Sequence, residues 1–257
     1  MKVVLLAGGL GTRLAEETEV RPKPMVEIGG RPILWHIMKH YAQAGFTEFV
    51  IALGYKGDII KRYFLDVCHL HGDMTLSLRT GSVSTAGPHC EDWTVHLIET
   101  GAETNTGGRV KRLQMLLGTE PFMLTYGDGV SNVDLSRLLD THRRLGKAAT
   151  ITAVRPPSRF GGLVFNGDLI AKFSEKPQVG EGWINGGFMV LEARIFDYLP
   201  GDQSSLEADA LEALARDNEL GAYQHVGFWQ CMDTLRDKRQ LEAMWQNNRA
   251  PWVSWTT

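Results

Sequence analysis

Short unbroken apolar runs recur along the chain and alternate with segments whose apolar residues fall at helical spacing. Residues 3–6, 49–53 and 122–126 read as strands buried on both faces, as in a parallel sheet covered by helices. Pro32 can open a helix over 32–44, with Ile33, Leu34, Ile37, Met38 and Tyr41 on one side and Gly45 ending it. Strand, helix and strand at this spacing make a βαβ unit with a right-handed crossover. Further helices are predicted over 58–64, 108–117, 134–145 and 204–218, and a last one after Thr234. Alternating patterns predict strands over 74–78 and 93–99, and others over 149–154, 183–191 and 223–226. Residues 163–165 and 169–173 flank Asn166-Gly167 as a hairpin. Residues 79–92, rich in Gly, Ser, Thr and His, read as a loop or flap that could reach a neighbouring subunit.

A length of 257 residues with 43% apolar content fits one large domain or one domain with a small appendage. The net charge of −3 does not suggest a nucleic acid or an anionic membrane as partner. Any affinity for an anion must therefore be local, which points to a small-molecule site. Cys68, Cys90 and Cys231 are far apart and odd in number, so they make neither a disulfide framework nor a metal spacing. Free thiols in a reducing cytoplasm are the expectation. No apolar run approaches the ~18 residues of a membrane helix, and the run after Met1-Lys2 is too short for a signal segment. Trp245, Trp252 and Trp255 near the end of the chain suit either an oligomer contact or core packing.

The chemistry concentrates where strands end. The first strand runs into Ala7-Gly8-Gly9-Leu10-Gly11-Thr12-Arg13, where glycines let backbone amides approach a ligand. Arg13 has a fork suited to phosphate oxygens, and Lys23 is fixed between Pro22 and Pro24. Together they form a layout for a polyphosphate. It is not a P-loop, because no Gly-Lys-Ser/Thr ending is present, and Leu14 stands where a dinucleotide fingerprint needs its third glycine. Thr106-Gly107-Gly108-Arg109 opens a helix, where a hydroxyl and free amides suit either a cap or a ligand. Asp128, in Gly127-Asp128-Gly129 after a buried strand, is either a turn residue or a hard-oxygen ligand for Mg²⁺. Asp233 is either a helix cap or a second such ligand. Lys176 precedes a proline, and Asn185-Gly186 lie in a glycine-broken strand that signals either a bulge or a close ligand. His142 sits on the apolar face of its helix and reads as structural.

The stretch 6–14 followed by Lys23-Pro24-Met25 resembles the signature of the sugar-1-phosphate nucleotidylyltransferases. Glu16-Glu17-Thr18, Arg21-Pro22-Lys23-Pro24-Met25, Thr106-Gly107-Gly108-Arg109, Tyr126-Gly127-Asp128-Gly129 and Gly227-Phe228-Trp229-Gln230-Cys231-Met232-Asp233-Thr234 make the set similar to the glucose-1-phosphate cytidylyltransferase branch. Cys231 departs from the proline expected there, and the stretch 202–209 matches loosely. The resemblance implies an α/β fold: a Rossmann-like three-layer sandwich with a mostly parallel central sheet, of the nucleotide-diphospho-sugar transferase type. It implies one domain over 1–257, with a nucleotide-binding part about 1–130, a sugar-phosphate part about 131–235 and a terminal helix and tail over 236–257.

The same resemblance implies substrates CTP and glucose 1-phosphate, with Mg²⁺ as cofactor on Asp128 and Asp233. Nucleotide contacts would come from Leu6, Ala7, Gly8, Gly9, Gly11, Thr12, Arg13, Lys23, Thr106, Arg109 and Asp128. Arg13 and Lys23 would be catalytic, and Lys176, Asn185 and Gly186 would bind the sugar phosphate. A cytoplasmic homo-oligomer that supplies dideoxyhexose synthesis for lipopolysaccharide O-antigen is what such a family implies. The same chemistry with UTP, dTTP or another sugar phosphate, and a non-catalytic nucleotide-sugar sensing domain, stay open as alternatives.

Overall fold

All four apolar residues of β1 (Val3–Leu6) are buried because both faces of its sheet are covered. Val3 and Leu5 enter one core, and Val4 and Leu6 enter the other. The computed structural model describes residues 1–9, 11, 14–70, 73–86, 91–156, 162–166, 169–174 and 182–255. Within it, β1 joins β2 (Glu48–Leu53), β3 (Thr94–Glu99), β4 (Phe122–Tyr126), β5 (Ala149–Val154), β6 (Ile184–Leu191) and β7 (Leu220–His225) in one seven-stranded sheet of order β7-β5-β6-β4-β1-β2-β3. The pairs β1–β2, β1–β4, β2–β3 and β5–β7 are parallel. Only β6 is reversed, antiparallel to both β4 and β5. Its amino end, carrying Asn185 and Gly186, therefore shares an edge with the carboxyl ends of its neighbours. That edge is where ligands of open α/β sheets collect.

Helices cover both faces in three layers. The first core takes Ile33, Leu34 and Ile37 of α1 (Ile33–Gln43), Ile60 of α2 (Gly57–Leu70), Leu135 and Leu138 of the later helix at Leu135–Leu145, and Leu241 of the helix at Leu235–Gln246. The second takes Val110 of α3 (Thr106–Arg112) together with Leu113, Leu117, Leu206 and Leu214. The helices at Leu135–Leu145 and Leu235–Gln246 are α4 and α5 below. His142, on α4, is held between Thr150 (2.9 Å) and Glu192 (3.0 Å), the structural role its position suggested. Among the described residues, no helix is long and apolar enough to cross a membrane.

Several sequence expectations are corrected. The loop expected over 79–92 contains a strand: Ser82–Ala86 pairs antiparallel with Asp73–Ser77, and Met74, Leu76, Leu78 and Val83 of this hairpin are exposed. The alternation of Val83 with hydroxyl residues was the missed signal. The helix expected over 204–218 is a π-helical turn at Leu206–Leu211 followed by a short α-helix at Glu212–Arg216. α3 begins at Thr106 rather than 108, because the side chain of Asn105 caps it by accepting from Thr106 N (2.8 Å).

Of the three tryptophans near the end, Trp252 and Trp255 take the core-packing alternative, while Trp245 is half-buried. Trp252 and Trp255 are buried against α1. Trp255 meets Trp35 edge-on with centroids 5.7 Å apart, Trp252 stacks on Phe228 at 5.6 Å, and Trp245 meets His36 at 4.9 Å. Trp252 Nε1 donates to His36 Nδ1 (3.3 Å), so the other ring nitrogen of a neutral His36 can donate to Ile28 O (2.9 Å).

This packing makes stability depend on pH. Burial lowers the pKa of His36 to about 4, well below that of an unfolded histidine. Between these values the unfolded chain binds the proton and the folded one does not. The stabilisation is thus complete above pH ~6.5 and is lost as pH falls towards 4, by about 1.4 kcal/mol per pH unit from this residue. Stability from urea unfolding between pH 7.5 and 4.5 should fall more steeply than this, because the pKa of buried His40 is lowered to about 4 as well, and NMR titration should give His36 a midpoint below 5. A midpoint near 6.5 would contradict the buried neutral ring.

Candidate active site

The glycine loop leaves β1 wedged between the ends of β2 and β4. Ala7 N donates to Ala52 O (3.1 Å), Tyr55 N to Gly8 O (3.3 Å) and Gly127 N to Leu6 O (3.1 Å). The loop closes a cleft of about 380 Å³, lined by Leu6, Ala7, Gly8, Gly9, Gly11, Lys23, Thr106, Arg109 and Asp128, all expected from sequence. Pro24, Thr104, Asn105, Tyr126 and Gly127 complete the lining. Thr12, Arg13 and Lys176 lie outside the described residues. The Glu16-Glu17-Thr18 motif shapes the loop from behind. Thr18 Oγ1 donates to Gly11 O (3.1 Å), Lys238 of α5 pairs with Glu17, and Lys56 Nζ donates to the Thr18 and Glu19 carbonyls.

Arg109 forms one wall and carries a buried charge. Its guanidinium donates to Leu53 O (3.0 Å), Thr100 Oγ1 (2.8 Å), Gly101 O (2.7 Å), Gly8 O (3.0 Å) and Ala102 O (3.2 Å). Every one of these acceptors is a neutral oxygen. Burial, and then the nearby charge of Arg112, lower its pKa. Arg109 thus ties the glycine loop to the ends of β2 and β3. The guanidinium passes between two glycines: a Cβ on Gly8 would lie 2.3 Å from Nη1, and one on Gly54 would lie 2.4 Å from it. Gly54 was not among the residues expected from sequence, since its role shows only once Arg109 is placed against it.

Lys23 joins the two expected aspartates. Its Nζ lies 2.6 Å from Asp128 Oδ2 and 2.6 Å from Asp233 Oδ1. Local structure sets each of the three. Lys23 stands on a single 3₁₀ turn, Lys23–Met25, entered through Pro22. Asp128 and Asp233 are brought together by a short antiparallel pair in which Gly129 faces Cys231, with Met232 N donating to Asp128 O (2.8 Å). Asp233 does not cap α5. Thr234 does, in a capping box with Asp237, which leaves the Asp233 carboxylate to Lys23. Burial alone would lower the pKa of Lys23, but the two carboxylates outweigh it and the net shift is upward. The Cys231 thiol, 3.7 Å from Asp233 Oδ2, is pushed up to about 12 by burial and by the carboxylates around it. It stays a neutral thiol.

Two carboxylates converging on one cation position suit Mg²⁺, which takes one or two carboxylates and completes its shell with phosphate oxygens and water. No cluster of three or more His, Cys, Asp or Glu side chains occurs among the described residues, so phosphate and water would supply the other ligands.

Asn185 and Gly186 lie beside this cleft rather than in its lining. Asn185 Nδ2 is 3.5 Å from Tyr126 Oη, and Asn185 Oδ1 accepts from Gly187 N (2.9 Å). Gly186 O accepts from Trp229 Nε1 (2.7 Å). The hydroxyl of Thr106 is engaged, donating to Glu207 Oε2 (2.7 Å) and accepting from Leu206 N (2.9 Å). Glu207 and Tyr126 are thus parts of the site that sequence reasoning missed. Glu207 carried only the signal of an acidic residue near a helix start.

The family described as Nucleotidyl transferase matches residues 2–243. The chain is 47% identical to "Glucose-1-phosphate cytidylyltransferase" of Salmonella typhimurium over 99% of this chain and 100% of that one. It is 44% identical, over the same shares, to "Probable glucose-1-phosphate cytidylyltransferase" of Bacillus subtilis. Its fold is shared with the crystal structure of HddC from Yersinia pseudotuberculosis, with a TM-score of 0.69, 24% identity and coverage of 95% of this chain and 99% of the other. The chain belongs to the nucleotidyl transferase family, in its glucose-1-phosphate cytidylyltransferase branch.

Proposed function

We propose that this protein transfers the cytidylyl group of CTP to α-D-glucose 1-phosphate, releasing pyrophosphate and forming CDP-glucose. The observation that carries the chemistry is Lys23, 2.6 Å from both Asp128 and Asp233 beside a glycine loop. Identity of 47% and 44% to two glucose-1-phosphate cytidylyltransferases, over 99% of the chain, supports the choice of substrates. A phosphate oxygen of the sugar phosphate attacks the α-phosphorus of the nucleotide, and the bond from that phosphorus to the bridging oxygen of pyrophosphate breaks. The nucleophile is already ionised near neutral pH, so no general base is required. Catalysis reduces to positioning and charge neutralisation.

In this reading the amides of Gly8, Gly9 and Gly11 receive the triphosphate, and the charge of Arg109, bonded to neutral oxygens among the described residues, adds positive potential beside them. Arg13 stabilises the departing pyrophosphate, and Lys23 bridges the α-phosphate and the sugar phosphate. Mg²⁺ on Asp128 and Asp233 would neutralise charge on the phosphate oxygens. Lys176, Asn185 and Gly186 hold the sugar phosphate. We assign nucleotide binding to about residues 1–130 and sugar-phosphate binding to about 131–235. We further place the protein in the cytoplasm as a homo-oligomer supplying dideoxyhexose synthesis for lipopolysaccharide, the exposed apolar hairpin at 73–86 being a candidate contact.

Pyrophosphate release with glucose 1-phosphate and Mg²⁺, offering CTP, UTP, dTTP, ATP and GTP in turn, should be well above the rest with CTP. Release with another nucleotide would keep the chemistry and overturn the base assignment. Lys23→Ala and Asp128→Ala should each lower kcat by more than ~100-fold, the scale of losing a transition-state charge stabiliser. A near-normal rate in either would refute the roles given to them.

Two glycine substitutions separate scaffold from binding surface. In Gly54→Ala the new methyl collides with Arg109, so stability should fall by about 1–3 kcal/mol. A Cβ on Gly9 meets nothing within 4 Å, so Gly9→Ala should leave the thermal midpoint in place while raising the KM for the nucleotide. An unchanged nucleotide KM in Gly9→Ala would remove that residue from the binding surface.

A further inference from the structure

Glu207 has no role in the transfer described above, yet it joins several parts of the cleft wall. It stands on the π-helical turn Leu206–Leu211, an element often found at functional sites. Three hydroxyls converge on its carboxylate: Tyr126 Oη at 2.5 Å on one oxygen, with Thr106 Oγ1 at 2.7 Å and Ser205 Oγ at 3.0 Å on the other. Burial would raise its pKa, but these hydrogen bonds outweigh that effect and the net shift is downward. At neutral pH Glu207 is therefore an ionised group that can only accept. Each of the three hydroxyl protons is directed towards it.

This fixes what Tyr126 can offer. Burial, and then the charge of Glu207, raise the pKa of its phenol, so it stays neutral. With its proton on Glu207, its oxygen is left as an acceptor. Among the described residues, the side-chain donor that reaches that oxygen is the amide of Asn185 at 3.5 Å, the outer limit of a hydrogen bond. Tyr126 lines the cleft two residues before Asp128. Strand order places it between the phosphate loop, where it pairs with Leu6 of β1, and β6. β4 lies between β1, which leads into the glycines, and β6, which carries Asn185. The Tyr126 ring packs on the β6 side, where a Cβ on Gly187 would lie 2.6 Å from it.

We propose that Glu207 is a positioning residue that fixes Tyr126 as a hydrogen-bond acceptor for a hydroxyl of the acceptor sugar, with the Asn185 amide as the adjacent donor. The inference rests on the nucleotidyl-transfer reading but not on which nucleotide or sugar is used. It deepens that reading by naming a hydroxyl-bearing face of the sugar as what this wall recognises.

The test is a steady-state comparison of Glu207→Gln, Tyr126→Phe and the double variant, using whichever nucleotide and sugar phosphate the wild type turns over fastest. The substrate assignment can then fail without deciding this one. Glu207→Gln keeps the size of the side chain but replaces one acceptor by a donor, so at least one hydroxyl must reverse. Tyr126→Phe removes the phenol oxygen and leaves Thr106 and Ser205 on Glu207. Each single variant should raise the KM for the sugar phosphate by about tenfold, the scale of one lost hydrogen bond. The nucleotide KM should change less than about twofold. The double variant should be no worse than the worse single, because both remove the same interaction. A rise of both KM values together in Glu207→Gln, or a double variant equal to the product of the singles, would show that Glu207 acts through Thr106 and the start of α3, and would overturn the proposal. Should Glu207→Gln fold poorly by circular dichroism, Tyr126→Phe decides alone: an unchanged sugar-phosphate KM there refutes the acceptor role.

Discussion

Two carboxylates held side by side in a half-buried site stay ionised together only with a cation between them, and that constraint organises this molecule. Asp128 and Asp233 are 105 residues apart in sequence, and the Lys23 ammonium lies 2.6 Å from each. Their repulsion grows as water is excluded, and so does the attraction of each to the ammonium. The rest of the local structure serves this arrangement. Two prolines fix the path of the chain at Lys23, a short antiparallel pair sets Asp128 beside Asp233, and Thr234 takes over the capping that Asp233 would otherwise perform. In the proposed reaction a divalent ion held by Asp128 and Asp233 would supply the positive charge they need and free Lys23 to turn to a phosphate. That is the physical reason a divalent ion suits this place.

Arg109 meets a related constraint in another way. Its charge is buried with five neutral oxygens around its two Nη atoms, and among the described residues no carboxylate pairs with it. A buried cation without a carboxylate is costly for the free protein. Such a cost is tolerable where an anion binds, and Arg109 lines the cleft together with the glycine loop. Gly8 and Gly54 are then required on two counts, since they admit the guanidinium and they also bring backbone carbonyls to it.

What the sequence discloses and what it conceals divide by range. The strands were legible because both faces of the sheet are covered, so 3–6, 49–53 and 122–126 appear as continuous apolar runs. The glycine loop, Lys23 and Asp128 were legible because they follow such strands or stand between prolines. The partnership of Asp128 with Asp233 depends on the register of Gly129 against Cys231, which no local pattern encodes, and only resemblance to a family suggested it. The destination of the tryptophans was likewise not local. Trp252 and Trp255 find α1 across more than 200 residues, and a sequence cannot separate that from a surface contact. Glu207 was concealed for the same reason, since its partners Tyr126 and Thr106 come from β4 and α3. The split of 204–218 into a π-turn and a short helix was hidden because both share nearly the same apolar period.

The titratable groups of the site argue together for chemistry without proton transfer by the protein. His36 and His40 are neutral and buried at the first core, each with its pKa lowered to about 4. His142 bridges Thr150 and Glu192, and His225 is bonded to Asn132 and to the Phe228 carbonyl. Each of these histidines is engaged in hydrogen bonds within the scaffold. Cys231 is the nucleophile type nearest the carboxylates, and burial with their charge keeps it a thiol. Lys23 is held more firmly as a cation, and Tyr126 as a neutral hydroxyl. Lys23 and Tyr126, which line the cleft, thus keep their charge states across the neutral range. Such a site is poorly built for a reaction that needs a base near pH 7. It is well built for one in which an ionised oxygen displaces another at phosphorus, where fixed positive charge and fixed hydrogen-bond polarity are what the transition state requires.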